Sequence, residues 1–169
     1  MVYLVIALLV FLLDQATKWL ILTKMELHES ISVIGQFFQI TSHRNRGAAF
    51  GILQEQRWFF LIITFVVVIA ILFYLRKMVQ ENRRLLSIAL SLLLGGAAGN
   101  FIDRARWGEV VDFLQFTFNL SAFGVEEYVF PIFNVADSAI VVGVALILLD
   151  SLQSWLKERK DNAHESHGS

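Results

Sequence analysis

The segment Trp58–Leu75 reads WFFLIITFVVVIAILFYL, eighteen residues without a charged side chain. About 20 mostly apolar residues in a helix cross the hydrocarbon core of a bilayer, and a charge within that core is costly. The segment is therefore predicted to be a transmembrane helix. The composition of the whole chain agrees, because 56% of its residues are hydrophobic and only 17% are charged, against about a quarter charged in soluble domains.

Three more stretches, one before this segment in the sequence and two after it, have the length and composition of a membrane span: about Val2–Leu22, Leu85–Ile102 and Pro131–Leu149. The first contains Asp14 and Lys18, and it lacks the basic start and the short apolar core of a secretory signal peptide, so it is predicted to be retained. The sequence thus predicts an all-α membrane protein with four transmembrane helices. They form one domain, residues 1–156, and the polar tail 157–169 is expected to be disordered.

The loop between the first two spans, about residues 23–57, is too long to be a simple connection. Short β-prone runs lie within it at Ile31–Ile34, Phe37–Ser42 and Ala48–Leu53, with glycines between them. They predict a small β-sheet on the outer surface of the membrane. The last outer loop, about residues 103–130, mixes aromatic residues with Glu126 and Glu127.

The density of basic residues predicts the orientation, because cytoplasmic loops are enriched in lysine and arginine. The densest basic clusters lie in the loop between the second and third spans and in the tail: Arg76, Lys77, Arg83, Arg84, Lys157, Arg159 and Lys160. Basic residues in the other two loops are spread over longer stretches. Both termini are therefore predicted to be cytoplasmic.

Several polar side chains are predicted to share one depth near the outer ends of the spans. Asp14 lies roughly 18 Å along the first helix, and Lys18 lies one turn further. The others lie at the end of the third helix, in the loop after it and at the start of the fourth: Asn100, Asp103, Arg104, Asp112, Asn134 and Asp137. Because charges in a membrane usually face a protein interior or a wet cavity, these residues are predicted to form one site.

Some of these residues also have a purely structural interpretation. Asp14 and Lys18 have the i,i+4 spacing of a helical ion pair, and a structural role is favoured for them over catalysis. Asn134 could cap the fourth helix, with Asp137 as an acidic residue in its first turn.

Two further features of the third helix can be explained without chemistry. Asp103 and Arg104 could form an interfacial pair, and the glycines at positions 95, 96 and 99 could allow close helix packing. No structural interpretation accounts for Asp112 and Asp137 together. Asp112 lies in the apolar run Val110–Phe113, where an unpaired carboxylate is expensive.

The residue types limit the possible chemistry. Cysteine is absent, which excludes disulfides, a thiol nucleophile and thiolate metal sites. The four histidines, at positions 28, 43, 164 and 167, show no His-Glu-x-x-His pattern and are predicted to be solvated. Ser138 has no histidine or lysine near it in sequence to act as a base. A pair of aspartates remains, and two such carboxyls in a poorly solvated site share one proton, so that one activates water while the other polarises a carbonyl.

Five motifs in this sequence resemble those of the lipoprotein signal peptidase family, also called signal peptidase II. They are DQATK at residues 14–18, NRGAAF at 45–50, GGAAGNFIDR at 95–104, VVDF at 110–113 and FNVADS at 133–138. Each motif alone is weak evidence. Their order and their helix and loop context make a chance similarity very improbable.

The resemblance implies a membrane aspartic endopeptidase that removes the signal peptide from diacylglyceryl-modified bacterial prolipoproteins, cutting just before the lipid-modified cysteine. It implies four helices in the bacterial cytoplasmic membrane, an extracytoplasmic β-cradle, a short outer helix and an active site near the outer face. Globomycin-type inhibitors and membrane lipids are implied partners, and no cofactor, metal or nucleic acid is expected. Asp112 and Asp137 match the catalytic pair. The matching support or substrate-binding positions are Asp14, Lys18, Asn45, Gly47, Asn100, Asp103, Arg104, Asn134 and Ala136.

Two other classes of function are compatible with a polar cluster in a membrane. A small transporter or proton channel could use Asp14, Asp112 and Asp137 as a relay, but it predicts carboxylates strung across the membrane and has no need of a long outer loop. A non-enzymatic assembly factor could use the cluster only to hold its helices together. Cleavage of a diacylglyceryl-modified prolipoprotein distinguishes a peptidase from both.

Overall fold

The computed structural model describes residues 1–47, 56–121 and 125–167. The helices are α1 (Val2–Lys24), α2 (Arg57–Gln80), α3 (Arg84–Trp107) and α4 (Val135–His167), and the strands are β1 (Ser30–Ile34), β2 (Phe38–Asn45), β3 (Val110–Leu120) and β4 (Val125–Val129). All four helices are long and apolar enough to cross a membrane. The four predicted spans are confirmed. The first three helices extend up to about five residues beyond their predicted ends, whereas α4 begins later than predicted and continues far beyond its predicted end.

Helix α3 packs against α1, α2 and α4, and small residues allow this. A side-chain carbon added at Gly95 would lie 2.5 Å from the carbonyl oxygen of Ala7 in α1, and one at Gly96 would lie 2.5 Å from that of Ala136 in α4. Both distances are far shorter than a van der Waals contact, so the helices can approach this closely only with glycine at these positions. The predicted packing role of these glycines is confirmed.

The four strands form one antiparallel sheet in the order β1-β2-β3-β4. β1 and β2 correspond to the predicted runs Ile31–Ile34 and Phe37–Ser42, while the predicted run Ala48–Leu53 lies outside the described residues. The last outer loop, in which no strand had been identified from the sequence, supplies β3 and β4. The resemblance also implied a short outer helix. The described residues contain only the four long helices, so the short helix is absent from this part of the chain.

Strand β3 packs the sheet against helix α1. Side chains alternate between the two faces of a strand, and here Val111 and Phe113 pack against Ile21 of α1. Val110 and Asp112 therefore face the opposite side, where both line a cavity. Strand pairing aligns Asp112 with His43 and Val110 with Asn45 of β2, so residues from two distant motifs meet across one ladder.

Helix α4 continues to His167. The expectation that residues 157–169 are disordered is therefore wrong for 157–167. This stretch has no apolar face that would predict burial, but the sequence contains neither proline nor glycine between Val144 and His167. With no residue that breaks a helix, the helical backbone can propagate beyond the apolar span.

Candidate active site

Asp112 is buried between two asparagine side chains. Its Oδ2 accepts a hydrogen bond from Asn45 Nδ2 at 3.0 Å, and its Oδ1 accepts one from Asn134 Nδ2 at 2.7 Å. Only 2% of the residue is exposed. Burial and, secondly, the neighbouring Asp137 carboxyl raise the pKa of Asp112 to about 7, against the opposing effect of the two amide donors.

Asp137 lies in the first turn of α4 and forms a reciprocal cap with Asn134. The Asp137 N–H donates to Asn134 Oδ1 at 2.9 Å, and the Asn134 N–H donates to Asp137 Oδ2 at 3.2 Å. These bonds satisfy backbone donors that a helix start otherwise leaves unpaired. Asp137 Oδ1 accepts a third bond, from Asn100 Nδ2 at 2.8 Å. The capping interpretation of Asn134 is confirmed, and the same side chain also holds Asp112.

Asp112 and Asp137 both line a cavity of about 740 Å³. Its polar wall comes from the end of β2, the end of α3, the start of β3 and the first turn of α4. Its apolar wall comes from the segment that leads into α4 and from the exposed side of that helix. The lining residues are His43, Arg44, Asn45, Arg46, Gly47, Asn100, Arg104, Val110, Asp112, Val129, Phe130, Pro131, Ile132, Phe133, Asp137, Ile140 and Val141.

A buried ionic network lies directly behind this cavity. Lys18 Nζ is 2.8 Å from Asp14 Oδ2 and 2.8 Å from Asp103 Oδ2, and it donates to Asn100 Oδ1 at 2.8 Å. Asp14 Oδ1 also accepts the N–H of Ala136 at 2.9 Å. The predicted ion pair of Asp14 and Lys18 is therefore confirmed, and it is part of a larger network that joins α1, α3 and α4.

Arg104 connects the end of α3 to the chain that follows β2. Its guanidinium donates to the carbonyl oxygen of Gly47 at 3.2 Å and lies 4.7 Å from the ring centre of Phe60. The N–H of Gly47 donates to Asn45 Oδ1 at 3.0 Å, which leaves the Asn45 amide nitrogen facing Asp112. Asp103 faces Lys18 on the other side of the helix, so the suggested interfacial pair of Asp103 and Arg104 is replaced by two separate contacts.

The structure brings together all the predicted site residues, although Ala48–Phe50 of the second motif lie outside the described residues. Sequence reasoning missed Gln15, whose Nε2 donates to Asp103 Oδ1 at 2.9 Å and to the Gly99 carbonyl at 3.3 Å. It also predicted a solvated His43, whereas this side chain is half-buried and lines the cavity. Burial, then His28 and Arg44, lower the pKa of His43. The described residues contain no group of three or more His, Cys, Asp or Glu that could hold a metal ion.

Comparison with known proteins identifies the family. Residues 6–153 match the family described as signal peptidase (SPase) II. The chain belongs to the signal peptidase II family. The match extends over most of the chain and includes every residue of the cavity and of the network behind it.

Relatives in the signal peptidase II family are similar over nearly their full length. The chain is 51% identical to the lipoprotein signal peptidase of Bacillus pumilus over 160 residues, which cover 95% of this chain and 98% of the relative. It is 49% identical to that of Bacillus subtilis over 161 residues, covering 95% and 99%. Similarity of this extent leaves no major segment of the fold without a counterpart.

Solved structures agree with the fold of this signal peptidase II family member. One, described as a bacterial membrane enzyme at 2.3 Å resolution, has a TM-score of 0.79 at 46% identity, covering 90% of this chain and 88% of its own. Another, at 1.9 Å resolution, has a TM-score of 0.74 at 44% identity, covering 89% and 92%. The arrangement of four helices and a small sheet is therefore that of known membrane enzymes.

Proposed function

We propose that this protein is a membrane aspartic endopeptidase that removes the signal peptide from diacylglyceryl-modified bacterial prolipoproteins. The cut falls on the peptide bond just before the lipid-modified cysteine. Asp112 and Asp137 are the catalytic residues, and no cofactor takes part. Membership of the signal peptidase II family supports the peptidase activity, and the printed names of the relatives support prolipoproteins as substrates.

The observation that carries the aspartic mechanism is that Asn134 holds both carboxyls beside one cavity. Its side-chain amide nitrogen donates to Asp112, and its backbone N–H donates to Asp137. The two carboxyls are thus kept at fixed positions relative to each other, open to a volume large enough for a peptide segment. A proton relay across a membrane needs carboxylates at successive depths, whereas these lie together at one end of the helices.

The environments of the two carboxyls suggest which of them carries the shared proton. A pKa of about 7 keeps much of Asp112 protonated at neutral pH. Asp137 accepts hydrogen bonds at both oxygens and lies in the first turn of a helix, where a negative charge is stabilised by the helix dipole. Asp112 is therefore assigned as the acid and Asp137 as the base.

The reaction follows from this assignment. Asp137 takes a proton from a water molecule, whose oxygen bonds to the carbonyl carbon of the scissile peptide, while Asp112 gives its proton to the carbonyl oxygen. The tetrahedral intermediate then collapses: Asp137 passes its proton to the cysteine nitrogen, the C–N bond breaks, and a hydroxyl proton returns to Asp112. The products are a signal peptide with a free carboxyl group and a lipoprotein with a free amino group at its cysteine.

The position of the cavity suits a substrate that stays in the membrane. Val141 lines the cavity and is 67% exposed on the surface of α4, so the cavity borders a surface that lipid would cover. A signal peptide is itself an apolar helix and could enter sideways between helices. We assign the site to the outer face of the bacterial cytoplasmic membrane, with both termini cytoplasmic, on the basis of the basic loops.

The remaining site residues have supporting roles in this proposal. Asn45 and Asn134 orient Asp112, Asn100 orients Asp137, and Arg104 holds the backbone at Gly47, where the chain passes the cavity. The Arg104 guanidinium is the one cationic group of this set, and it balances part of the negative charge of the pair.

The test is cleavage of a purified diacylglyceryl-modified prolipoprotein by the purified protein in detergent or vesicles. The expected product begins at the lipid-modified cysteine, as mass spectrometry of its N-terminal peptide would show. The unmodified precursor is the matched control and should be cleaved far more slowly. No cleavage, or equal cleavage of both precursors, would contradict the proposed substrate class.

A further inference from the structure

Lys18 is buried in α1 and forms no hydrogen bond or ion pair with the two proposed catalytic carboxyls, although its charge acts on Asp112 through space. A single side chain, that of Asn100, connects it to Asp137. The Lys18 Nζ atom donates to Asn100 Oδ1 at 2.8 Å, and Asn100 Nδ2 donates to Asp137 Oδ1 at 2.8 Å. Only 1% of Lys18 is exposed. The ammonium group, the amide and the carboxyl therefore form a short chain of hydrogen bonds that leads from the ionic network into the cavity.

The orientation of the Asn100 amide decides whether this chain can exist. An asparagine side chain has an acceptor oxygen and a donor nitrogen of nearly equal size, and its neighbours select which of the two faces each way. Lysine can only donate, so Asn100 Oδ1 must face Lys18. A rotation of the amide by half a turn would place two donors against each other and the amide oxygen against the Asp137 carboxyl.

One other group favours the same orientation of the Asn100 amide. Asn134 Nδ2 also donates to Asn100 Oδ1, at the longer distance of 3.2 Å. Lys18 is the stronger constraint, because its bond is shorter and carries a full charge. A charged donor at the oxygen also polarises the amide and makes its N–H a better donor to Asp137.

The position of Lys18 is itself fixed from two sides. Asp14 of α1 and Asp103 of α3 each lie 2.8 Å from its Nζ atom, and both carboxylates are fully buried. With Asn100, they occupy all three N–H donors of the ammonium group. The lysine therefore has no rotational freedom left at its donor end.

We propose that Lys18 is a positioning residue for peptide cleavage, which acts by fixing the Asn100 amide so that its nitrogen donates to Asp137. This inference rests on the proposed function, in which Asp137 is the catalytic base. It assigns to a residue of the ionic network a role in the reaction in addition to its role in holding α1 against α3.

The test is a double-mutant cycle on kcat with Lys18→Met and Asn100→Ala. Methionine keeps the length of the lysine side chain and removes its donors. Lys18→Met should lower kcat by about 10- to 100-fold, as expected when a reacting group is misplaced by a fraction of an ångström, and should leave KM within about 3-fold. In the Asn100→Ala background, Lys18→Met should lower kcat by less than about 3-fold further, because the amide through which it acts is gone.

Thermal unfolding of the same four proteins separates positioning from structure. Lys18→Met leaves two buried carboxylates without their cation, so it should lower the Tm in both backgrounds. If the variant does not fold, the cycle is carried out with Asp103→Asn present throughout, which removes one of the stranded charges. Rescue of kcat by Lys18→Arg is not expected, because the larger guanidinium does not fit a fully occupied three-partner site.

Two results would overturn the inference: an unchanged kcat in Lys18→Met, or losses from Lys18→Met and Asn100→Ala that multiply in the double variant. Failure of the proposed function looks different. In that case the parent protein does not cleave the diacylglyceryl-modified prolipoprotein, or Asp137→Asn cleaves it as fast as the parent.

Discussion

Asn134 and Asp137 cap each other at the start of α4 through two hydrogen bonds, of 2.9 and 3.2 Å. The carboxyl proposed as catalytic base thus also completes a helix end that lies against the membrane core. A change at this residue can therefore reduce activity in two ways, by removing the base or by loosening the helix. Experiments on the site have to separate these effects.

The choice of substitution at Asp137 separates them. Asp137→Asn removes the ionisable group but retains an oxygen that can accept the Asn134 N–H, so it should abolish cleavage and keep the cap. Its amide nitrogen then faces the Asn100 Nδ2 donor, so a small loss of Tm is expected. Asp137→Ala should also abolish cleavage and should cost about 1 kcal/mol more in stability, the usual effect of losing a cap. The measurement is thermal unfolding in detergent beside a cleavage assay. Equal Tm losses in the two variants would show that the cap does not matter.

Asp112 should make stability depend on pH in a direction opposite to that of an ordinary ion-paired carboxylate. Its pKa is raised to about 7 in the folded protein and is about 4 in an unfolded chain. Between these values the folded state binds more protons, so the stabilising effect of the neutral carboxyl is complete below pH 4 and is lost as pH rises to about 7. Parent protein and Asp112→Asn should therefore differ in the slope of Tm between pH 5 and 8, with the parent falling more steeply.

The same pKa predicts the pH dependence of cleavage. Asp112 donates a proton in the proposed mechanism, so kcat/KM, which reports the pKa values of the free enzyme, should fall as the pH rises above about 7, where the neutral form is depleted. A pH–rate profile of the parent protein measures this basic limb. Activity that keeps rising up to pH 9 would contradict the assignment of Asp112 as the acid.

Asp14 should be needed for stability more than for chemistry. Asp14→Ala removes one of the two carboxylates that pair with the buried Lys18, which keeps Asp103, and leaves the N–H of Ala136 without its partner, a change expected to cost about 1–3 kcal/mol. Asp14→Asn is the matched control, since its amide can still accept the Ala136 N–H, and it should lose less. Unfolding in detergent measures both. An Asp14→Ala protein that is as stable as the parent but inactive would argue for a direct role in the reaction.

An inhibitor of the globomycin kind should bind in the cavity if Asp112 and Asp137 act together. A hydroxyl placed between the two carboxyls would stand in for the attacking water or the tetrahedral intermediate, which such a pair should hold tightly. Binding should compete with prolipoprotein substrate and should be lost when both aspartates become alanine. Isothermal titration can detect this, and equal, non-saturating signals from parent and double variant would indicate only partitioning into detergent.

Much of the membrane architecture could be predicted because it depends on local composition. The run Trp58–Leu75 has no alternative to a membrane span, and α2 contains all of it. The site residues could be predicted because a charge such as Asp14 within an apolar helix needs a partner wherever that helix packs. The same reasoning predicted that the side chains of Asp112 and Asp137 lie in one site.

Strands β3 and β4 were not predicted, although Leu114–Leu120 alternates strictly between apolar and polar residues, a period-2 pattern that favours a strand. The start of β3 gives no such signal, because Val110, Val111 and Phe113 place apolar residues on both faces. The strand is defined by its pairing with β2, which lies about 70 positions earlier in the chain. Phe116 illustrates this, since it stacks on Phe38 of β2 at 4.8 Å and on Phe133 at 5.9 Å between ring centres.

The network around Lys18 was predicted only in part for a related reason. Spacing along α1 indicates the pair with Asp14, but the bonds to Asp103 and Asn100 depend on how α3 is rotated against α1. That rotation is set by the glycines at positions 95 and 99, whose packing partners are not local in sequence. Gln15 belongs to the motif at residues 14–18, but its bond to Asp103 likewise depends on how α3 is placed against α1.

Asp112 and Asp137, rather than Asp103, form the proposed catalytic pair. The decisive measurement is the rate at which purified Asp112→Asn, Asp137→Asn and Asp103→Asn proteins, each confirmed as folded by its melting curve, cleave a diacylglyceryl-modified prolipoprotein. We expect no detectable cleavage by the first two variants and measurable cleavage by Asp103→Asn, which loses an ion pair with Lys18 but neither carboxyl of the cavity. An inactive Asp103→Asn beside a fully active Asp112→Asn would overturn this assignment.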